Sequence, residues 1–400
     1  MDRIEKPDAP RILQVIPAIA TAFGGPAIGS IALNRALVGL GANAVLVTAA
    51  YKDKSGRKLS DIEVRDILGG GTVARVSGPS WPFRLENSFG LLAEILRRTR
   101  TVDLVHIHGQ YMLPSVYAYM AARFWRKPYG FQAHGSLEPY QRKVSPRRKA
   151  IYNALIGTSF LRCASYVMFA SPSEAARAND VVSALQSVVR PLGSELAEPQ
   201  NPEIPGLSDR LSRFPRSSRF LFLGRLASKK RPDLLLRAWA SSGACQSGIL
   251  IIAGPDGDLK REELVELAHQ LDIDSSVIFL GTLEGAEKSW LYHQAGSFVF
   301  PSENENFGLT LGEAMLAGCH VITNPEVASS SFLVDSGSGH VVSPMDELSL
   351  GAAINSALLA ERETGNSGAI AQGYARENLT WTPLASFLIE KALETGINGY

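Results

Sequence analysis

A short apolar run rich in Val, Ile and Leu, followed by a stretch of helical periodicity, recurs along most of this chain. Parallel strands need a crossover of a dozen or more residues between them, usually a helix, so this alternation points to parallel sheets covered on both faces. In the first half strands fit 11–17, 44–48, 104–108, 129–133 and 166–169. A helix carrying Ile28, Ile31, Leu33, Leu37 and Leu40 follows the first strand and stops at Gly41. Further helical stretches fall near 87–98, 113–124 and 146–161, and Ser171-Pro172-Ser173-Glu174 reads as a capping box. The stretch 191–215, with five prolines and two glycines, reads as a linker. Alternation then restarts, with strands at 219–223, 249–253, 277–280, 297–300 and 320–323. The matching helices fit 232–240, 258–271, 284–294, 310–317 and 346–363. The expected class is α/β, with two doubly wound Rossmann-like domains facing a cleft, at 1–195 and 196–380.

At 400 residues the chain is long enough for two such domains, and 45% hydrophobic with 20% charged residues excludes a disordered or fibrous chain. No apolar run reaches the roughly 18 residues of a spanning helix, and the first ten residues are polar. The expected location is cytoplasmic, with the inner face of the cytoplasmic membrane as an alternative. Cys163, Cys245 and Cys319 lie far apart and form no metal-ligand or disulfide spacing.

The net charge of +1 conceals an asymmetry: residues 1–195 carry 25 Lys and Arg against 14 Asp and Glu, and residues 196–400 carry 15 against 25. A first half at +11 suits an anionic partner, such as a membrane surface or a phosphorylated acceptor, and a second at −10 could also simply attract it. The basic stretch Arg142–Lys149, ahead of Ile151, Tyr152, Leu155 and Ile156, suits an anionic membrane or a lipid diphosphate, or a merely solvated surface. Nucleic acid is disfavoured, because no binding motif or aromatic platform appears.

Ligands of open parallel sheets bind beyond the carboxyl ends of the strands. Gly24-Gly25 stands between the first strand and a helix, where backbone N–H groups can approach a phosphate. Gly224-Arg225-Leu226, with Lys229 and Lys230 close behind, follows the first strand of the second block. Two cations there suit a departing diphosphate, and a solvated basic loop is the plainer alternative. The segment 298–324, FVFPSENENFGLTLGEAMLAGCHVITN, ends a buried strand at Pro301 and leads through Glu303 and Glu305 into a helix carrying Glu313. Glu305 and Glu313, eight positions apart, suit sugar hydroxyls, while the helix start near Leu309 and Thr310 offers free N–H groups to an anion. His106 and His108 share a strand face, a spacing seen in metal sites, but further ligands are lacking and a packed or cleft-lining pair is the expectation.

These segments resemble the family 4 (group 1) retaining glycosyltransferases of the two-domain GT-B fold. The Glu-Asn-Phe-Gly form with Glu-Ala-Met after it resembles the family signature, and Gly224-Arg225-Leu226 with Lys230 is similar to its phosphate-binding segment. Pro191-Leu192-Gly193 resembles the end of its first domain. The resemblance implies that Arg225 and Lys230 bind the donor diphosphate, Glu313 the ribose and Glu305 the donor sugar. It implies further contacts from Gly224 and from the N–H groups of Gly308, Leu309 and Thr310, with His134 near the donor sugar and Gly25 near phosphate or acceptor. It also implies that residues 381–400 cross back to the first domain as a final helix. The family's Gly-Asp-Gly-Pro appears here as Gly254-Pro255-Asp256-Gly257, and Lys229 and Arg231 replace the common acidic residue and glycine around Lys230.

The resulting expectation is a retaining hexosyltransferase moving sugar from a UDP- or GDP-linked donor to a glycan or lipid-diphosphate-linked acceptor, with bacterial surface polysaccharide synthesis as the class expectation. The nucleotide sugar would be a co-substrate, with no cofactor and no metal required. The alternatives are a sugar-nucleotide epimerase or phosphorylase of the same fold, or a two-domain protein that binds a ligand without turnover.

Overall fold

The computed structural model describes residues 9–17, 19–20, 25–48, 51–52, 72–75, 89–138, 141, 145–179, 186–197, 204, 206–305, 307–363 and 367–397. The chain divides into two compact units, one of Met1–Gly193 with Trp381–Tyr400, the other of Ser194–Thr380.

The first unit is built on seven strands, β1 (Arg11–Ile16), β2 (Asn43–Thr48), β3 (Thr72–Arg75), β4 (Leu104–His108), β5 (Tyr129–Gln132), β6 (Tyr166–Phe169) and β7 (Ser187–Val189). They pair in the order β3-β2-β1-β4-β5-β6-β7, all parallel. The centre of the sheet is buried on both faces, as a doubly wound sheet requires: one face is apolar, with Leu13, Val15, Val105, Ile107 and Phe131 fully buried, and the other carries Ile12 together with the buried polar residues Gln14, His106, His108 and Gln132. Strand order reverses between β1 and β4, so the loops after these strands open a crevice at the switch point.

The helix Trp381–Ile397 packs on the helix Gly25–Gly39 and on β1 and β4. Trp381 anchors it. A Cβ at Gly193 would run into the Trp381 ring, and one at Gly29 would come within 3.0 Å of it. Only a residue without a side chain leaves that space, which is a physical reason for glycine after Pro191-Leu192. The supposed linker therefore begins buried, with Leu192 and Ser194 8% and 4% exposed.

The second unit has six strands, β8 (Arg219–Leu223), β9 (Ile249–Ala253), β10 (Val277–Leu280), β11 (Ser297–Val299), β12 (His320–Thr323) and β13 (Gly339–Val341), paired in parallel as β10-β9-β8-β11-β12-β13. Its switch point lies between β8 and β11, and the segments singled out in the sequence, 224–230 and 301–313, follow those two strands. Strands β3, β7 and β13, absent from the sequence reading, are short edge strands, and the helices Ser330–Ser336 and Ser367–Asn378 were also not anticipated. Among the described residues no helix is long and apolar enough to cross a membrane.

Candidate active site

In the second unit the ring of Phe300, one residue beyond β11, is the floor on which several expected residues meet. A Cβ at Gly224 would lie 3.8 Å from it, and one at Gly308 would lie 3.6 Å from it and 3.2 Å from Glu305 Cγ. The Lys230 ammonium stands 4.6 Å above the same ring, a cation–π geometry, and forms an ion pair with Glu305. Gly224, Lys230, Glu305 and Gly308 are thus one cluster, brought together from two loops. Arg225 is exposed in the same β8 loop.

The cluster is held by main-chain bonds. Glu303 N donates to Lys229 O at 2.8 Å and Ser302 Oγ to the same oxygen at 3.2 Å, tying the two loops together. Glu305 is fixed on its other side, its N–H reaching Glu326 O at 3.3 Å and its carbonyl accepting from Ala328 N at 3.0 Å. Arg231, where the family commonly has glycine, takes the left-handed conformation with φ 53° and bonds both Asp233 and Glu303. Arg231 thus sits in a conformation that favours glycine and adds a brace.

Lys230 is 12% exposed in its side chain. Burial pushes its ammonium down to about 7, with the charges of Lys229 and Arg225 adding to the effect, and the carboxylate of Glu305 acts in the opposite sense. An anion arriving here would meet a cation that is costly to keep charged without a partner.

Gly308, with φ 76°, is the N-cap of the helix Leu309–Leu316 and supplies no side-chain cap. The first-turn N–H groups at Leu309 and Thr310 have no acceptor within the helix, beside the Lys230–Glu305 pair. Thr310 Oγ1 is buried without a hydrogen-bond partner. One turn on, Glu313 is 8% exposed; its Oε1 accepts from Lys288 Nζ at 2.6 Å and its Oε2 from Tyr292 Oη at 2.9 Å. A carboxylate has about four lone-pair sites, so both oxygens keep capacity for a ligand hydroxyl. Lys288 and Tyr292 were missed in the sequence. Their i, i+4 spacing puts them on one face of the helix Gly285–Gln294, but nothing local says that the face meets Glu313.

In the first unit a cavity of about 180 Å³ opens beyond β1, β4 and β5, lined by Pro26, Ala27, His108, Gln110, Met112 and His134 among others. Gly25 begins the helix beside it, and Gly24 lies outside the described residues. His134 has a left-handed backbone with φ 47°, and the next N–H, of Gly135, donates to Glu174 Oε1 at 2.7 Å. Glu174 belongs to the capping motif: its N–H reaches Ser171 Oγ at 3.1 Å, and its second oxygen takes Ala170 N at 2.6 Å. The motif thus caps a helix and also holds the His134–Gly135 turn, which spacing alone did not reveal. Burial raises the Glu174 carboxyl to about 7 despite those two backbone donors.

His106 and His108 are buried in a hydrogen-bonded network. His106 bonds Tyr166 Oη at 2.9 Å and Gln132 Oε1 at 3.2 Å, while His108 bonds Gln14 Oε1 at 3.0 Å and His134 Nε2 at 3.1 Å. Desolvation lowers all three imidazoles, His106 to about 4 and His134 to about 3, so they are neutral at pH 7. Among the described residues no group of three or more His, Cys, Asp or Glu is placed to hold a metal.

Two family models match, "Glycosyl transferases group 1" over residues 208–372 and "Glycosyltransferase Family 4" over residues 23–196. The chain belongs to the group 1, family 4 glycosyltransferases. The D-inositol 3-phosphate glycosyltransferase of Frankia alni is 28% identical over 81% of this chain and 83% of its own length. That of Salinispora arenicola is 34% identical over 42% of this chain and 39% of its own length. The first four curated relatives are matched over only 26% to 43% of their length. Among solved structures, Anabaena HepE in complex with UDP and glucose matches 96% of this chain and 99% of its own at 19% identity, with a TM-score of 0.71. At that identity the likeness speaks for the fold, which is GT-B.

Proposed function

We propose that this glycosyltransferase moves a sugar from a nucleotide-diphosphate donor to an acceptor hydroxyl with retention of anomeric configuration. The observation that carries the reading is the cluster on Phe300: a half-buried lysine paired with a carboxylate, beside an uncapped helix start. Lys230 and Arg225 would neutralise the leaving diphosphate, helped by the N–H groups of Leu309 and Thr310. Glu305 would take donor-sugar hydroxyls, and Glu313, oriented by Lys288 and Tyr292, the ribose hydroxyls. His134 and the helix start at Gly25 would serve the sugar or acceptor at the first unit. Cations and N–H dipoles can carry the leaving-group charge, so the reading asks for no cofactor and no metal. A UDP- or GDP-linked sugar is the expected co-substrate; the HepE structure with UDP and glucose supports the former.

For the acceptor, the reading favours a lipid-diphosphate-linked glycan in surface polysaccharide synthesis, reached at the membrane face. Its support is a patch on the first unit where Ile151 and Leu155 are 62% and 75% exposed beside exposed Arg147 and Arg148. Residues 142–144 of the basic stretch lie outside the described residues. Apolar side chains ringed by cations suit an anionic bilayer surface. Co-sedimentation with phosphatidylglycerol vesicles, lost in Ile151→Ser/Leu155→Ser, supports this; equal binding by the variant removes it. The inositol-phosphate glycosyltransferase relatives favour a second reading, a small phosphorylated acceptor met by the same basic unit.

The test of transfer is release of nucleoside diphosphate from a panel of UDP- and GDP-sugars. Glu305→Gln and Lys230→Ala should each lower it by about 100-fold, the cost of one preorganised charge group. Near-normal turnover by both folded variants would remove the assignment. A product that forms equally well without acceptor would instead mark an epimerase.

A further inference from the structure

The imidazole of His134 is the end of a buried chain of hydrogen bonds whose direction can be worked out. Gln14 Oε1, 3.0 Å from His108 Nε2, can only accept, so that ring nitrogen carries the proton. A neutral His108 then has its lone pair on Nδ1, and His134 Nε2, 3.1 Å away, must donate to it. Nδ1 of His134 is left as the acceptor of that ring. At the other end Gln14 Nε2 donates to Asn34 Oδ1 at 3.1 Å, and Asn34, whose Nδ2 is buried without a hydrogen-bond partner, sits on the helix Gly25–Gly39.

Three features make this more than packing. Gln14 and Asn34 are fully buried and His108 is 2% exposed, so the bonds that join them are made within the protein. Desolvation keeps His108 and His134 neutral, and each ring therefore has one proton to place. His106, itself set by Tyr166 and Gln132, packs edge-on against His108 at 4.7 Å and holds its plane. His108 and His134 both line the cavity, where a ring with a lone pair recognises a hydroxyl donor.

We propose, on the reading that this unit binds a sugar-bearing ligand, that Gln14 is a positioning residue: through His108 it holds His134 in the Nε2-protonated tautomer, so that His134 meets a ligand hydroxyl as an acceptor at Nδ1. Asn34 Oδ1 accepts from the Gln14 amide in the orientation this needs. Reversing that amide would reverse every proton in the chain and turn His134 into a donor.

Nitrogen-15 NMR of the full chain with labelled histidine reads the tautomer directly. The wild type should show His134 protonated on Nε2 and bare on Nδ1. Gln14→Met, which offers His108 no comparable acceptor, should turn this into a mixture of tautomers, and Gln14→Glu, which keeps an oxygen there, should restore it. A His134 protonated on Nδ1 in the wild type would overturn the proposal, as would a tautomer unmoved in folded Gln14→Met. Should Gln14→Met fail to fold, the wild-type spectrum still decides. No ligand enters this readout, so its failure is distinct from failure of the transfer reaction, which the Lys230→Ala comparison tests separately.

Discussion

Arg231 Nη1 lies 2.8 Å from Glu303 Oε1, and the residue that makes this contact has a left-handed backbone. Two effects of similar size oppose each other here. A non-glycine residue in that conformation costs about 1–2 kcal/mol, and a partly exposed ion pair returns about 0–1 kcal/mol. Arg231→Gly removes both, whereas Arg231→Ala keeps the strain and loses the brace. Urea unfolding should therefore rank the alanine variant below the glycine variant by about 1 kcal/mol. Equal stability, or the reverse order, would show that the backbone here is unstrained.

Gly193 makes room for Trp381, and the two should be energetically coupled. Gly193→Ala is expected to cost about 1–3 kcal/mol by overpacking, and Trp381→Ala about 3–5 kcal/mol by leaving a void. In the double variant the clash with the ring is gone and only the one with the main-chain nitrogen of residue 381 remains, so the combined loss should fall short of the sum by 1 kcal/mol or so. Thermal unfolding of the four proteins measures this. Strict additivity would mean that the backbone yields to the added methyl.

The buried titratable groups of the first unit set its acid response. His106 and His134 fold with pKa values of about 4 and 3, below the unfolded value near 6.5. Below pH 6.5 the unfolded chain binds protons that the folded chain refuses. The stabilising contribution is present above 6.5 and is lost as pH falls, by up to about 1.4 kcal/mol per pH unit for each ring. Glu174 has the opposite sign: raised to about 7, it binds a proton in the folded state between its unfolded value near 4.5 and 7. Its contribution is present below 4.5 and is lost as pH rises through 7. Glu174→Gln should therefore steepen the loss of stability between pH 7 and 5, measured by urea unfolding at fixed ionic strength. An unchanged slope would mean that this carboxyl is ionised throughout.

Much of the architecture was legible because strand and helix periods differ and parallel sheets bury both faces. The stretch 249–253 reads as a continuous apolar run and is a buried strand, and 104–108 and 219–223 are mostly apolar and are strands too. Ser187–Val189 and Gly339–Val341 were not legible, since three residues at a sheet edge carry no period. The site divides the same way. Lys230, Glu305 and Glu313 stood out by residue type and by position after strands, whereas Phe300 read only as the end of an apolar run. That it supports Gly224, Lys230 and Gly308 at once depends on β8 and β11 being neighbours, a long-range fact. The Gln14–His108–His134 chain is likewise spread over three strands or strand ends, and no local spacing predicts it.

The central claim is that the Lys230–Glu305 cluster on Phe300 binds the diphosphate of an activated sugar. Thermal unfolding of wild type and Lys230→Ala with a panel of UDP- and GDP-sugars tests it most directly. At least one of them should stabilise the wild type, by about 2.7 kcal/mol at a hundred times its dissociation constant, and Lys230→Ala should lose most of that gain. A gain of the same size in folded Lys230→Ala, or none from any of these donors in the wild type, would contradict the account.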